Sequence, residues 1–427
     1  MIGGTLAVSA LSWREAWRGR LWLVPLAAVA LIATLAPGVD AADPGGAVRL
    51  LAAASSAAAG FCGILIAALV PAAQLTRDLE SRIALTAFPK PLPRLGWLLG
   101  RWGGAVLLAG AAGVVIALAG SAAVAWRAGG VPVMRQAQAA VSVERLTGLG
   151  EAVAIPQGAT RLAGPAGDGV RWSFTGLDPA ARGYELLVQA KVGAAGGGMV
   201  ESAPVRVAVV TADGAVIALT LDPASPYGRQ PPDAAMPGAN CWLADRNADR
   251  RSLAADWARM TLPAGAISAD GRLAVQLTRL DAATSIQIGL SGCVIAVPAG
   301  AQPLHAARAV LAELAAPAVV AAAALAVAAI ASLPVALLAA LTLAFAGHAL
   351  WAVQETLTWG ESGRALARLL ELMLQALPDL AATGQGVRLA ASEAVTWGQV
   401  GSAWLGVAPH LAVLLALGWW ALARRQL

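Results

Sequence analysis

Charged side chains are concentrated between Arg77 and Gly104, where the sequence reads RDLESRIALTAFPKPLPRLGWLLGRWGG. The acids Asp78 and Glu80 lie there among basic residues, and such mixed charges can pair with a complementary protein surface, giving orientation and specificity more than affinity. The alternative is that the segment only fixes membrane topology, for which basic residues suffice because acids contribute little. The two acids therefore favour docking. The residues that we predict to contact a partner are Arg77, Asp78, Glu80, Arg82, Lys90 and Arg94.

The rest of the sequence lacks the motifs on which common catalytic sites depend. It contains no Gly-x-x-x-x-Gly-Lys-Ser/Thr loop, no Cys-x-x-Cys, no His-Glu-x-x-His and no Gly-x-Ser-x-Gly elbow. The run from Asp245 to Asp249 resembles the start of a calcium loop, but Arg250 occupies the position that requires glycine, which favours an ordinary polar loop. We therefore predict that the chain is not an enzyme, holds no metal and binds no cofactor itself.

The three histidines are the remaining candidates for acid–base chemistry. His305 lies at the edge of an apolar segment, whereas His348 and His410 lie inside such segments, where an ionisable group is costly and often functional. They either relay protons or form hydrogen bonds between helices. Neither has an acidic residue within one helical turn, which favours hydrogen bonding.

The composition indicates a membrane protein. Of the 427 residues, 58% are hydrophobic and 13% are charged, whereas a soluble domain has about 25% charged residues. The net charge of +5 gives little reason to expect binding to nucleic acid. Cys241 and Cys293 lie in the polar middle of the chain. They form a disulfide if that region is extracytoplasmic, or remain separate buried thiols.

Six apolar segments are long enough to cross a bilayer, which takes about 20 residues. They are Leu21 to Val39, Ala52 to Val70, Trp102 to Ala125, Val310 to Ala331, Val335 to Val353 and Leu405 to Ala423. The basic residues next to them fall on one side, which places both termini in the cytoplasm by the positive-inside rule. A signal peptide cleaved after the first segment is the alternative for that segment.

Between the third and fourth spans the pattern changes to short alternating runs with turn signals at Asp213-Gly214 and Asp270-Gly271. This pattern predicts an extracytoplasmic β-sandwich, jelly-roll-like in type. The region carries 14 acidic and 14 basic residues, so we do not expect a nucleic-acid groove. The predicted strand segments are Val170 to Phe174, Tyr184 to Val192, Val205 to Val210, Ala215 to Leu221, Leu273 to Thr278 and Ser285 to Val297.

The predicted fold is thus an α-helical polytopic membrane protein with six transmembrane helices, three on each side of an inserted all-β domain. Its parts are an amphipathic interfacial helix (1–20), transmembrane helices 1–3 (21–127) with a cytoplasmic coupling loop (75–101), the β-sandwich (131–303), transmembrane helices 4–5 (308–353), an extracytoplasmic amphipathic segment (354–403), and transmembrane helix 6 with a basic tail (404–427). The amphipathic segment either gates an exit or packs against the β domain, and packing is favoured.

Three glycines, Gly96, Gly100 and Gly104, repeat every four residues and share one helix face. Such a face allows another helix to approach closely. It serves either packing inside one subunit, which we favour, or a contact between subunits.

The segment from Arg77 to Gly104 resembles the loop between the second and third spans of ABC-2 type transporter permeases. The matching features are the paired acids Asp78 and Glu80 with Arg82, then Lys90-Pro91 and Arg94, then Gly100-Arg101 in place of the usual Gly-Lys, and Gly104. The basic carboxy terminus and Leu377-Pro378-Asp379-Leu380 are also similar to that family. The large domain between spans three and four departs from its usual compact form.

The resemblance implies the permease subunit of an ABC exporter in the bacterial cytoplasmic (inner) membrane. It implies that a separate subunit binds and hydrolyses ATP on the cytoplasmic face, and that the permease forms a homodimer or heterodimer with a second permease within the lipid. In that family the amino-terminal helix and the loop after span two make the ATPase contact. The alternatives are a membrane-anchored β-domain that binds or scaffolds a partner, and a membrane enzyme.

Overall fold

The computed structural model divides the chain into two compact units. One consists of Met1–Pro132, Ala301–Ala390 and Val395–Leu427, and the other of Val133–Gly300 and Ala391–Ala394. A helical part and a separate β domain are therefore both present, as predicted. The structure describes residues 2–39, 44–81, 94–147, 152–154, 159–162, 166–180, 183–188, 191–194, 202–211, 215–221, 228–229, 239, 241–244, 258–263, 265–289, 292–359, 377–390 and 392–424.

Long apolar helices make up the first unit. In chain order they are α1 (Ile2–Arg18), α2 (Leu23–Leu35), α3 (Pro44–Glu80), α4 (Arg94–Ala128), α5 (Gln302–Glu313), α6 (Ala315–Ala328), α7 (Leu333–Trp359), α8 (Gly386–Ala390) and α9 (Trp397–Arg424). Short 3-10 turns follow α2 and precede α8. The predicted amphipathic segment 354–403 contains the end of α7, the short α8 and the start of α9, and its residues 360–376 lie outside the described part.

Five helices in the described part are long and apolar enough to cross a membrane: Gly46–Glu80, Arg94–Ala128, Gln302–Ala328, Leu333–Leu350 and Trp397–Arg424. The first predicted span differs from expectation. Its helix α2 has only 13 residues, about 20 Å at 1.5 Å per residue, which is shorter than a hydrocarbon core of about 30 Å. A sixth span exists only if the bent pair Gly3–Arg18 and Leu23–Gly38, which meet at 58°, counts as one. The bend coincides with Arg20, whose φ of 60° interrupts the helix.

Helices also occupy much of the segment predicted as a coupling loop. Helix α3 continues to Glu80 and helix α4 starts at Arg94, so the predicted loop 75–101 is too long at both ends. The reason is that apolar residues continue to pack there: Leu75, Trp97 and Leu98 are all buried. Residues 82–93, which include the predicted contact residues Arg82 and Lys90, lie outside the described part of the chain.

Two of the three predicted packing glycines bring α1 and α4 together. A Cβ atom on Gly100 would lie 2.6 Å from the Val8 Cβ, and one on Gly104 would lie 2.6 Å from the Ser12 Cβ. The Ser9 hydroxyl donates to the Gly100 carbonyl at 3.0 Å across the same contact. Packing inside one subunit, the favoured alternative, is therefore what this face does here. The third glycine, Gly96, is buried in α4.

The second unit is built from short strands. They are β1 (Val133–Ala139), β2 (Ser142–Leu146), β3 (Ala152–Ala154), β4 (Ala159–Leu162), β5 (Gly169–Phe174), β6 (Glu185–Val188), β7 (Lys191–Ala194), β8 (Ser202–Val210), β9 (Val216–Ala218), β10 (Thr220–Leu221), β11 (Gly228–Arg229), β12 (Cys241–Ala244), β13 (Ala258–Thr261), β14 (Leu273–Arg279), β15 (Thr284–Gly289) and β16 (Cys293–Ala301). The calcium-loop-like run at Asp245 lies outside the described residues.

The strands form three sheets. Their orders are β1-β16-β6-β13-β10, β11-β12-β8-β14-β5-β2-β3 with β9 beside β8, and β4-β15-β7. The first and last strands are neighbours, and later strands insert between earlier ones within both larger sheets. Side chains from all three sheets, among them Trp172, Leu186 and Ile286, form one buried cluster.

Three predicted strands each turned out to be two. Tyr184 to Val192 contains β6 and β7, Ala215 to Leu221 contains β9 and β10, and Ser285 to Val297 contains β15 and β16. In all three cases the first and second strands belong to different sheets. An apolar run in the sequence does not record where the chain leaves one sheet and joins the next, because residues facing the shared core look alike in both.

The sequence left open whether Cys241 and Cys293 form a disulfide, and in the structure they do not. Both cysteines are free and buried, Cys241 in β12 of one sheet and Cys293 in β16 of another. Both thiols face the shared apolar core. Burial raises the pKa of the Cys241 thiol to about 12 and raises the pKa of the Cys293 thiol well above its usual value. The alternative of separate buried thiols therefore describes the β unit.

A first prediction concerns the contact between α1 and α4. Gly104→Ala is expected to destabilise the helical unit by about 1–3 kcal/mol, because the added methyl group would force α1 away. Gly103→Ala is the matched control, since its Cβ would meet the Ser9 Oγ at an ordinary 3.4 Å and alanine favours a helix by up to about 1 kcal/mol. Thermal unfolding in detergent measures both variants. Equal stability would mean that α1 does not pack on α4 in this way.

A second prediction concerns the two thiols of the β unit. In a Cys62→Ala background, native protein should resist N-ethylmaleimide even in mildly alkaline buffer, because raised pKa values keep both thiols protonated and burial excludes the reagent. Denaturation should expose two reactive thiols, counted by intact mass. Rapid labelling of the native protein would contradict the burial. Denatured protein that reacts only after reduction would contradict the absence of a disulfide.

Candidate functional site

The centre of the predicted docking segment is a buried arginine. Arg101 of α4 is 2% exposed, and its Nη2 donates to the Asp78 Oδ2 of α3 at 2.5 Å. Its Nη1 donates to the Glu15 Oε2 of α1 at 2.7 Å and to the Ser12 Oγ at 3.1 Å. One guanidinium thus joins three helices, because five N–H donors in a fixed plane can serve several acceptors at once.

A second arginine balances the charge of this cluster. Arg77 pairs with the Glu15 carboxylate at 3.0 Å and keeps a side chain that is 59% exposed. Two carboxylates and two guanidiniums therefore meet, with the Trp97 ring 5.7 Å from the guanidinium carbon of Arg101. We call Glu15, Arg77, Asp78 and Arg101 the Arg101 network. Its balanced charge and charge-assisted hydrogen bonds compensate for the loss of water around the buried members.

The predicted contact residues consequently differ in their accessibility. Asp78 is buried against Arg101, and Arg94 donates to the Leu422 and Ala423 carbonyls at 3.0 and 2.7 Å. These carbonyls belong to the last turn of α9, where a cation satisfies acceptors that have no partner within the helix. Arg77 and Glu80 are exposed. Of the predicted set, these two are the side chains that the described structure leaves accessible to a partner.

Glu80 lines a surface cavity of about 340 Å³. Its other lining residues are Thr76, Leu79, Ala328, Ile330, Ala331 and Ser332. Ile330 follows α6 and is 69% exposed. We call this feature the Glu80 cavity. It combines a carboxylate, hydroxyl groups and an exposed apolar side chain, a mixture that suits a partner side chain with an apolar stem and a basic end.

The ends of several helices meet around these groups. The Glu80 cavity joins the end of α3 to the connection between α6 and α7, and Arg94 joins the start of α4 to the end of α9. Arg101 adds α1. The positively charged segments that flank the predicted spans thus gather at one end of the helical unit.

The histidines behave differently from expectation. The His348 Nδ1 lies 2.8 Å from the Ala344 carbonyl of its own helix, so this bond is not between helices. The His410 Nδ1 is buried and has no hydrogen-bond partner in the described structure. His305 alone links separate segments, with its Nδ1 3.1 Å from the Val395 backbone nitrogen.

The sequence pattern does not reveal the contacts of three residues. Glu15 lies in the predicted interfacial helix, and Arg101 stands out in the sequence only through the family resemblance. Glu313 lies inside the predicted fourth span and received no role. The missed signal is the same for Arg101 and Glu313, because a single ionisable residue among apolar neighbours usually has a partner or a function.

Comparison of the chain with protein-family models, with curated proteins and with solved structures finds no match.

A third prediction tests the Arg101 network. Arg101→Leu is expected to lower the free energy of unfolding by about 3–5 kcal/mol, because Asp78 would be left buried without its cation. Arg77→Leu is the control, since its exposed pair with Glu15 should contribute less than about 1 kcal/mol. Unfolding by SDS in mixed micelles provides both values.

The double variant Asp78→Asn with Arg101→Leu completes this test. It removes the unpaired charge and should be more stable than Arg101→Leu alone. Additive losses from the two single substitutions would show that the residues do not interact.

Proposed function

We propose that this chain is the permease subunit of an ABC transporter of the ABC-2 type, an exporter driven by a separate ATPase subunit. The observation that carries the proposal is the Arg101 network, which ties α1, α3 and α4 together beside the exposed Arg77 and Glu80. A partner that grips this end would therefore move three helices as one body. The resemblance between Arg77 and Gly104 supplies the family expectation.

The proposed topology has six crossings in the bacterial cytoplasmic membrane, namely the five long apolar helices and the segment Leu23–Gly38 that follows the bend after α1. Both termini and the end that carries Arg77 and Arg94 lie in the cytoplasm, because basic residues near the spans favour that side. The β unit then lies outside. Helix α1 lies in the inner interface, where Trp13 and Trp17 are exposed on its surface and suit the headgroup region.

The proposed partner docks on the Glu80 cavity. Its coupling element would place a basic side chain against Glu80 and apolar surface against Ile330, and Arg82 and Lys90 would add contacts from their segment. Closure of the ATPase on ATP would push on this end. The helices of two permease subunits would then rock as rigid bodies and change access to a path between them.

The β unit has a buried core of its own, which also suits a membrane-anchored binding or scaffold protein. Five or six apolar helices exceed what an anchor needs, so transport remains our proposal. The lipid bilayer and a second permease subunit are further proposed partners, and nucleic acid is not.

A fourth prediction tests docking. Glu80→Arg and Ile330→Glu should each weaken binding to the ATPase about tenfold or more, since reversing a contact charge or burying a new one costs at least about 1.4 kcal/mol. The matched controls Glu80→Asp and Ile330→Leu keep charge and apolar character. The measurement is ATPase activity that co-purifies from native membranes, with mass spectrometry to identify a subunit that carries Gly-x-x-x-x-Gly-Lys-Ser/Thr.

Two results would count against the proposal. If no P-loop subunit accompanies the wild-type chain, the permease function is wrong. If one accompanies all four variants equally, the function stands but the docking surface lies elsewhere.

A further inference from the structure

A carboxylate interrupts the apolar span Gln302–Ala328. Glu313 ends α5, and α6 begins two residues later at Ala315. The break has a sequence cause: Pro317 has no N–H with which to satisfy the Glu313 carbonyl four residues earlier. The helical hydrogen bonds resume at once, with the Ala318 N–H donating to the Leu314 carbonyl at 3.1 Å, so the break frees the Glu313 carbonyl without bending the span apart.

Two donors hold the Glu313 side chain. The Ser56 hydroxyl of α3 donates to its Oε1 at 2.5 Å, and the Gln385 backbone N–H donates to the same oxygen at 3.0 Å. Within the described residues, no arginine or lysine lies within ion-pair distance of Glu313. The carboxylate is therefore held by neutral donors alone, which leaves it able to accept a cation.

A narrow crevice runs along α5 to this carboxylate, lined mainly by small apolar residues. Its polar lining consists of Ser55, Ser56 and Ser121, together with Gln302 and Glu313 at opposite ends of the helix. Gln302 is 4% exposed, and its buried Oε1 has no hydrogen-bond partner in the described structure. Eleven residues separate the two ends, about 16 Å at 1.5 Å per residue, and close to three full turns place them on one face.

We propose that Glu313 is a proton-binding site, reached from the Gln302 end of α5 through one water molecule in this crevice together with the serine hydroxyl groups that line it. The crevice encloses about 10 Å³, room for about a single water molecule, which suits a proton carried by water and not a hydrated metal ion or an organic substrate. A proton from bulk water adds to the Glu313 carboxylate and gives the neutral acid, with no other bond made or broken. The orphaned Gln302 oxygen accepts a hydrogen bond from the water that delivers it.

The surroundings leave Glu313 as the group that titrates. The elements packed against α5 are α3, α4, α6, α8 and α9. Where they line the crevice, the described residues contribute no second titratable side chain. Arg49 on α3, Arg388 on α8 and His305 on α5 belong to the same helices, and none forms an ion pair with Glu313 in the described structure.

Infrared difference spectroscopy on the purified full-length chain in lipid tests the proposal without any ATPase. Stepping the bulk pH should produce a carboxylic C=O band that shifts in D₂O, is lost in Glu313→Gln and persists in Glu80→Gln, which removes an exposed carboxylate. Ser56→Ala should shift this band, because Ser56 bonds the carboxyl directly. Gln302→Leu should slow the exchange of the Glu313 carboxyl proton for a deuteron after transfer to D₂O. The expected effect is about tenfold, equivalent to about 1.4 kcal/mol in the free-energy barrier to proton entry.

The outcomes separate the alternatives. If Glu313→Gln gives the same spectrum as the wild type, the proposal is overturned. If Glu313→Gln does not fold, Ser56→Ala decides: a carboxylic C=O band at the wild-type frequency in that variant also overturns the proposal. Loss of the band on adding NaCl at constant pH would identify Na⁺ as the ligand and overturn the assignment to a proton. Unchanged exchange in Gln302→Leu would overturn the entry path.

Discussion

The buried guanidinium of Arg101 is the interaction on which the helical unit depends. An arginine away from water needs its charge compensated, and Asp78 and Glu15 do this from two other helices, while Ser12 accepts a further hydrogen bond. Close approach of α1 in turn requires Gly100 and Gly104, because any side chain there would collide with it. The glycines and the charges therefore depend on each other, because the glycines bring α1 near enough for Glu15 to reach Arg101.

The Arg101 network gives the charged segment between Arg77 and Gly104 a structural role. Of the two acids predicted to contact a partner, Asp78 is used internally against Arg101, so the residues that brace the helices differ from those that we propose to contact a partner. Arg77 is in both groups of residues, since it completes the charge balance of the Arg101 network and its side chain stays exposed. The docking surface that we propose would rest on this buried network and deform little under force, because the groups behind it cannot separate without leaving a charge unpaired.

Much of the architecture could be predicted from the sequence, because it depends on composition and local pattern. The apolar helices, the β domain between them and nine of its sixteen described strands follow from hydrophobic length and alternation. The strand pairs β6–β7 and β15–β16 could not be separated, since both members of each pair face the same core. The bend at Arg20 was also missed, because a short apolar helix and a full span have similar composition.

The sequence by itself determined which residues avoid water: the spans, the alternating strands and the rarity of charge are all properties of neighbouring residues. Only the tertiary structure decided which charges meet. Arg101 lies 23 residues from Asp78 and 86 from Glu15, and Glu313 lies 257 from Ser56. The sequence from Arg77 to Gly104 thus shows that the segment is charged, but only the fold separates its buried pair, Asp78 with Arg101, from its exposed side chains. The buried charges must pair, because burial makes an unpaired charge far more costly than it is in water.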